Sequence, residues 1–439
     1  MATTGEPHVI REIARLSIPN VIANITVPIM GMADIAIAGH VGGDLTIGAV
    51  AIGTTVFNMI YRNCSFLRMG GGGVTAQAYG AGRKEECVLT GLRCLLIAMV
   101  LSALLWIFGN PIRRLSLYLM GGGGELMSEA SIYVTTRWWA IPASVSLFAV
   151  NGWFAGMQDA KTPMLVAILG NVINVSASAA FAIWGEMGIA GIALGTVTAQ
   201  WVSLLLSFVI YKFKYSGIMP RVAMRNIIER AAFARLMKVN RDIFLRTLCL
   251  VIVFTAFTAY SSDYGETALA ANALMMQMFT LFSYLIDGLA YAGESVTGRF
   301  IGAGDQDKLR RSVDCIMICG LTTAIIYTIG FGFFWREIFS MFGASDTAIL
   351  YAGVHIGWGV AVPIVCFYAF VADGIMVGAT RSKAMRDSMA ISSAIFFTIY
   401  LSLRGVWGVN ALWLSFLTYM AMRGALLARE VGRVRNGVG

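Results

Sequence analysis

The sequence predicts an all-α integral membrane protein, with twelve transmembrane helices in two pseudo-symmetric six-helix bundles. Three observations carry that reading. The first is composition: the chain of 439 residues is 58% hydrophobic and only 13% charged, with a mean hydropathy of +0.73. Soluble domains carry about 25% charged residues, and a soluble protein this apolar would expose large adhesive patches, so lipid is its expected solvent. The second is an internal repeat. Val74 to Gly82 reads Val-Thr-Ala-Gln-Ala-Tyr-Gly-Ala-Gly, and Val296 to Gly304 reads Val-Thr-Gly-Arg-Phe-Ile-Gly-Ala-Gly, with 296 − 74 = 222. The same offset pairs Gly152, Gly156 and Lys161 with Gly374, Gly378 and Lys383, and Ala49, Ala51 and Phe57 with Ala271, Ala273 and Phe279. A half-length duplication in a chain this apolar marks a transporter of two related lobes. The third is a regular series of apolar runs of about 20 residues, the length that crosses a bilayer as a helix.

Taken in order, the first span covers 16–39 and carries Pro19, Pro28 and Asp34. The second, 46–68, ends at the glycines Gly70 to Gly73, and the third covers 86–109. The fourth (130–157), fifth (162–184) and sixth (189–211) follow the run Gly121 to Gly124 and complete an N-lobe over 1–211. A basic linker, 212–241, leads to a C-lobe over 242–439 with spans at 242–262, 267–300, 309–334, 349–379, 386–404 and 410–429. The spacing of Ile227, Ile228, Phe233, Leu236 and Met237 beside arginines is read either as a short amphipathic helix on the inner leaflet or as a plain basic connection.

Loop charge sets the expected orientation. The connection between spans six and seven holds Lys212, Lys214, Arg221, Arg225, Arg230, Arg235, Lys238 and Arg241 against Glu229 alone, which places it in the cytoplasm. Both termini then also fall inside. The opposite loops hold eight acids (Asp44, Glu125, Glu129, Glu186, Asp263, Glu266, Glu337, Asp346) against four bases (Arg113, Arg114, Arg336, Arg404). An even number of spans per half relates the lobes by an axis along the membrane normal. A bacterial inner membrane and a monomeric state are the expected setting.

Several function classes are disfavoured. The net charge of +9 is spread over loops between apolar runs, so no nucleic-acid partner is expected. The cysteines Cys64, Cys87, Cys94, Cys249, Cys315, Cys319 and Cys366 form no CxxC pair, suggesting neither disulfide framework nor zinc site. The glycine runs lack the strand and GK[ST] ending of a phosphate cradle. His8, His40 and His355 are scattered, and no nucleophile–base set is visible, so no enzyme activity and no cofactor are expected. The first apolar run is long and lacks a small-x-small cleavage site, so it reads as a span and not as a signal peptide.

An ionisable group inside a bilayer costs several kcal/mol, about 3 on insertion scales, and therefore needs a reason. Asp34 lies 15 residues after Pro19, roughly 22 Å along the helix, and the prolines remove backbone donors so that this helix can bend. Its carboxylate reads as a site for a proton or an organic cation, or as a helix-end group that reaches water. In the second half, Tyr284, Asp287, Tyr291 and Glu294 share one helix face, and Asp373 falls at the offset of Asn151. These read as cavity groups, or as ion-pair partners of Arg299 and Arg246. Asn171, Asn174, Gln158, Thr196 and Gln200 add uncharged polar positions that serve a cavity or bind helices together. Trp138, Trp139 and Trp153 suit an aromatic wall for cations or a membrane interface. The methionines around Met275 read as cavity or core lining.

These residues, in this order, resemble the multidrug and toxin extrusion (MATE) transporters, and within them the DNA-damage-inducible protein F-like branch. The resemblance rests on Pro19 with Asp34-x5-His40, Val74 to Gly82, Gly156 to Pro163, Asn171-x-x-Asn174, Asp287 to Glu294, Gly302 to Asp305 and Asp373 to Arg381, and it covers nearly the whole chain. It implies a cleft alternately open to either side and export of small amphipathic or cationic organic compounds in exchange for protons or sodium. It also implies that Asp34 is the coupling carboxylate, that Pro19 is the bend of the first helix, and that Asn151, Asn174 and Thr196 are polar partners in the N-lobe. Sodium, where it couples, would bind at Asp34, Asn174 and Thr196. The sequence departs from the family at Ser178, where relatives carry a second aspartate, and span seven has no acid between Asp242 and Asp263. A site with one carboxylate favours the proton. A lipid-linked-precursor flippase of the same superfamily is the alternative function.

Overall fold

The computed structural model describes residues 6–121, 124–220 and 222–437. Gly122, Gly123 and Arg221, which the sequence reading uses, lie outside the described residues. Among the described residues every regular element is a helix, as a bilayer requires when each backbone donor must be satisfied within its own segment.

The chain opens with α1 (Glu6–Cys64), which is helical except at Gly42 and Gly43 (φ −149° and +62°), where it reverses. Its torsions stay helical through Pro19 and Pro28. After one turn residue, α2 (Phe66–Gly80) completes the second span. Helix α3 (Lys84–Ile107) is the third span, and α4 (Gly109–Met120) is a short amphipathic helix where the apolar runs predict a loop. The fourth span is built in pieces: α5 (Gly124–Arg137), a 3-10 turn at Trp138–Ala140, and α6 (Ile141–Gly156). It begins six residues earlier than the apolar run suggested. Helix α7 (Lys161–Ala179) continues through a π-helical turn at Ala180–Trp184 and is followed by α8 (Gly188–Lys214). Then come the four-residue α9 (Met224–Ile227) and the six helices of the second half: α10 (Arg230–Ser262), α11 (Glu266–Ala303), α12 (Gln306–Met341), α13 (Asp346–Gly378), α14 (Ser382–Trp407) and α15 (Val409–Arg435).

Among the described residues, ten helical segments are long and apolar enough to cross a membrane. The first of them, Val9–Gly80, is 72 residues long and broken at the Gly42–Gly43 reversal, so it makes two passes. The fourth span escapes that criterion because α5 and α6 are only 14 and 16 residues long. Twelve spans result among the described residues.

The duplication is visible in the backbone. Left-handed torsions recur at the 222-residue offset in Gly43 and Gly265 (φ +62° and +94°), Gly82 and Gly304 (both +69°), Gly121 and Gly343 (+68° and +72°), Gln158 and Thr380 (+62° and +55°), and Glu186 and Gly408 (+54° and +53°). Helix packing repeats too. A Cβ on Gly152 would lie 2.3 Å from the Arg68 carbonyl oxygen, and one on Gly374 would lie 2.1 Å from that of Ala290. Arg68 and Ala290 are themselves 222 residues apart. Both halves thus use a glycine to bring two backbones together, the usual device of helices in lipid.

The chain resolves into two compact units. One is Ile22–Met237; the other joins the chain up to Val21 to the chain from Lys238 onward. In the first unit, Phe57, Tyr133, Trp138, Ile141 and Ile192 form part of one buried core, which Phe233 and Leu236 of α10 extend. The segment around 227–237 is therefore not a free amphipathic helix. Ile227 ends α9, Ile228 between the helices is exposed, and of the first two turns of α10 Phe233 and Leu236 face the core while Met237 is exposed. In the second unit, Gly288 packs on Val21 and Ser17, and Arg299 pairs with Glu12.

Candidate functional site

Asp34 is 4% exposed. It shares its face of α1 with Ile37 and Ala38, three and four residues on, both buried, whereas Ile35 and Ala36 between them are exposed. The carboxylate thus turns into its own unit and away from the acyl chains. Its Oδ1 is buried and accepts no hydrogen bond. Arg137, at the end of α5, is the cation whose field reaches it, but the two form no direct ion pair. The guanidinium is occupied elsewhere. It donates to the Tyr133 hydroxyl at 2.7 Å and to Thr54 Oγ1 at 3.4 Å, and it lies 4.8 Å from the centroid of the Phe57 ring. A carboxylate and a guanidinium therefore share one apolar interior without neutralising each other by contact.

Asn174 and Thr196 meet between α7 and α8, the Asn174 amide donating to Thr196 Oγ1 at 3.0 Å. Ser178 lies one turn on, where its hydroxyl donates to the Ile192 carbonyl at 3.1 Å. The helices are close there, since a Cβ on Gly195 would stand 2.2 Å from Ser178 Oγ. Asn174 Oδ1 and Asn151 Oδ1 are buried acceptors with no donor. Neither asparagine hydrogen-bonds Asp34. Asp34, Asn151 and Asn174 thus each present an unsatisfied buried oxygen, and such oxygens suit a proton or a hard cation better than an anion. Among the described residues no three His, Cys, Asp or Glu side chains group as a metal site; an oxygen-only sodium site at Asp34, Asn174 and Thr196 would not require one.

In the second unit Asp373 is buried on α13 between Arg246 of α10 and Arg423 of α15, and its Oδ2 accepts from both. Arg423 also lies 5.3 Å from the Phe370 ring centroid. Asp287 is half-buried on α11 within the field of both arginines. Tyr284 and Tyr291 are half-buried on the same helix, while Glu294 is 1% exposed. The sequence reading named Arg246 as an ion-pair alternative and missed Arg423. It missed Arg137 and Arg93 as well. The signal is present in the sequence: arginine within an apolar run is as expensive as aspartate.

Two further clusters hold the chain near the linker. Asp159, between α6 and α7, accepts from Lys214 Nζ at 2.7 Å, the Tyr215 hydroxyl at 2.8 Å and Thr162 Oγ1 at 2.6 Å. Burial pushes its carboxyl up, but these donors and the lysine charge outweigh it and hold the pKa below the usual carboxylate value. Arg93 of α3, 1% exposed, donates to the carbonyls of Asn226 and Ile227, both at 3.0 Å, and to Glu86 at 2.7 Å. A cavity of about 710 Å3 lies between these clusters, against Trp153, and its lining does not include Asp34.

The fold and these buried groups define a polytopic, all-helical membrane transporter made of two repeated halves. The MatE family profile matches it twice, over residues 19–179 and 243–403, and the chain belongs to that family. It is 33% identical over 419 residues to the DNA damage-inducible protein F of Escherichia coli, covering 94% of this chain and 90% of that protein. It is 24% identical to the probable multidrug resistance protein NorM of Neisseria meningitidis, covering 78% and 75% of the two chains. Among solved structures, a MOP superfamily transporter from Pyrococcus furiosus superposes with a TM-score of 0.85 at 18% identity over 99% of both chains. A MATE crystallised in the bent conformation gives 0.86 at 18% identity over the full length of both.

Proposed function

We propose that this protein is a secondary active multidrug exporter that moves amphipathic or cationic organic compounds outward in exchange for protons, with sodium as the alternative coupling ion. The observation that carries this reading is Asp34: a carboxylate turned into the unit interior, with an unsatisfied oxygen and a cation in reach but not in contact. Outward-facing, Asp34 releases its cargo and takes a proton. Neutral, it no longer attracts Arg137 or an organic cation, and the first helix, with Pro19 at its bend, rearranges against Asn151, Asn174 and Thr196. Inward-facing, it loses the proton and binds the next cation. Only a ligand with different affinity for the two states drives such a switch, and one titrating carboxylate supplies that difference. The absence of a second carboxylate at Ser178 supports the proton.

The lobes of this cycle are residues 1–211 and 242–439, joined by 212–241 with both termini in the cytoplasm. The working form is a monomer in a bacterial inner membrane. Asp287, Glu294 and Asp373, with Tyr284 and Tyr291, form the polar side of the C-lobe. The multidrug resistance names of the Neisseria relative and of MdtK from Edwardsiella ictaluri support organic cargo.

The test is proteoliposome transport of a fluorescent organic cation under separately imposed pH and sodium gradients. Wild type responds to the pH gradient, and Asp34→Asn loses transport while inserting normally. Undiminished transport by Asp34→Asn removes that residue from the scheme. A second reading, a flippase for a lipid-linked precursor, is favoured by the buried Arg246 and Arg423, which suit a pyrophosphate. Asp373 already neutralises one of them, and stabilisation by anionic lipid-linked sugars in preference to organic cations would select this reading.

A further inference from the structure

One groove of the Ile22–Met237 unit takes no part in the proposed transport chemistry. Helices α3 and α8 stand apart over α6, and the connection after α8 crosses their ends, leaving a cavity of about 710 Å3. Trp153 forms its floor, Val88, Leu92 and Phe208 its walls, and Met219 and Pro220 its roof. The roof is fixed at both ends: Asp159 holds Lys214 and Tyr215, and Arg93 holds the carbonyls of Asn226 and Ile227. The flanking surfaces are apolar and exposed, with Leu205, Val209 and Phe213 on α8 and Met99, Val100 and Leu104 on α3. In a membrane-spanning helix such surfaces meet acyl chains, so the groove opens toward lipid.

Its roofed end is basic. Lys84 stands one helical turn from Val88, Lys212 one turn from Phe208, and Arg225 three residues beyond Val222, all exposed. Of the acids nearby, Glu86 and Glu229 face Arg93 at 2.7 and 3.8 Å, and Glu85 accepts from the neutral Asn226 amide at 3.2 Å, so the three bases outnumber the one acid left without a cation. An apolar slot capped by unpaired positive charge is complementary to one amphiphile in particular, a membrane lipid with an anionic headgroup.

We propose that this groove binds an acidic phospholipid, with one acyl chain against Trp153 beneath Met219 and Pro220 and the phosphate between Lys84 and Lys212. The proposal does not depend on the transport reading. The full chain is reconstituted in phosphatidylcholine vesicles containing a fixed fraction of lipid with brominated chains, either phosphatidylglycerol or phosphatidylcholine. Quenching of tryptophan fluorescence is compared between wild type and Trp153→Phe, which isolates the Trp153 signal.

Brominated phosphatidylglycerol is expected to quench Trp153 more strongly than brominated phosphatidylcholine. The preference should fall about fivefold for each base removed, so that Lys84→Gln with Lys212→Gln renders the two lipids nearly equal. Ser207→Leu, which fills the groove from α8, should weaken quenching by both. Equal quenching by the two lipids in wild type overturns the proposal, as does a preference that survives removal of both lysines. Relief of the quenching by equimolar rhodamine 6G would assign the groove to organic cations and overturn it as well. Stronger quenching by a brominated free fatty acid than by phosphatidylglycerol would exclude the phospholipid as occupant.

Discussion

Asn151 and Asp373 occupy the same position in the two repeats, 222 residues apart, yet one carries an unsatisfied neutral oxygen and the other a carboxylate gripped by two buried arginines. The repeat fixes where the polar group stands; the surrounding helices decide what it does. Asp373→Asn should leave Arg246 and Arg423 with only the charge of half-buried Asp287 near them and lower stability by about 3–5 kcal/mol. Asn151→Ala should cost less than about 1.5 kcal/mol because it breaks no hydrogen bond. Thermal unfolding of the purified variants in detergent compares them directly.

The close approaches at Gly152 and Gly374 meet backbone, which cannot move aside as a flexible side chain can. Alanine at either position should destabilise by about 1–3 kcal/mol or more, and the two losses should be similar because the contacts are equivalent. A large loss at one site and none at the other, read from melting temperatures, would show that the halves pack differently.

Asp159 gives the protein a pH-dependent component of stability. Its folded pKa is below the unfolded value, so its contribution is complete above about pH 4 and is lost as the pH falls through the folded value. Asp159→Asn should flatten that acid limb and lower stability at neutral pH by about 1–2 kcal/mol. The figure is modest because Lys214 is half exposed and its charge is screened by solvent. A melting temperature measured from pH 3 to pH 7 for both proteins checks the sign.

Arg93 fastens the linker through two main-chain carbonyls. Arg93→Met should free Asn226 and Ile227, and cleavage by trypsin after Arg225 and Arg230 should accelerate by about tenfold, the local equivalent of one charged hydrogen bond. Unchanged cleavage kinetics would mean that the linker is held by other contacts.

Much of the fold was legible because its signals are local or periodic. Apolar run lengths gave the spans, and the Val74 and Val296 segments gave the duplication. Asp34 stood out because a charge in an apolar run is conspicuous. What escaped depended on tertiary contacts. Helix α4 carries Arg113 and Arg114 on an amphipathic face, which reads as loop when only long apolar runs are sought. The left-handed torsions of Gln158 and Thr380 have no glycine to announce them. Arg137, Arg93 and Arg423 looked like additional basic residues until the fold supplied Tyr133, the linker carbonyls and Asp373 as their partners. The pairing of Arg299 with Glu12 joins residues 287 positions apart, and no spacing rule relates them.

The boundaries between the two compact units fall at Val21–Ile22 and Met237–Lys238, and both lie inside continuous helices, α1 and α10. The polypeptide therefore passes from one body to the other through two rods and no slack tether. Any relative displacement has to be absorbed as flexure or torsion within those rods. In the cycle proposed above, the torsional stiffness of a few helical turns, two residues past Pro19 in one case and just before a basic-to-apolar change in the other, would be a direct determinant of the rate.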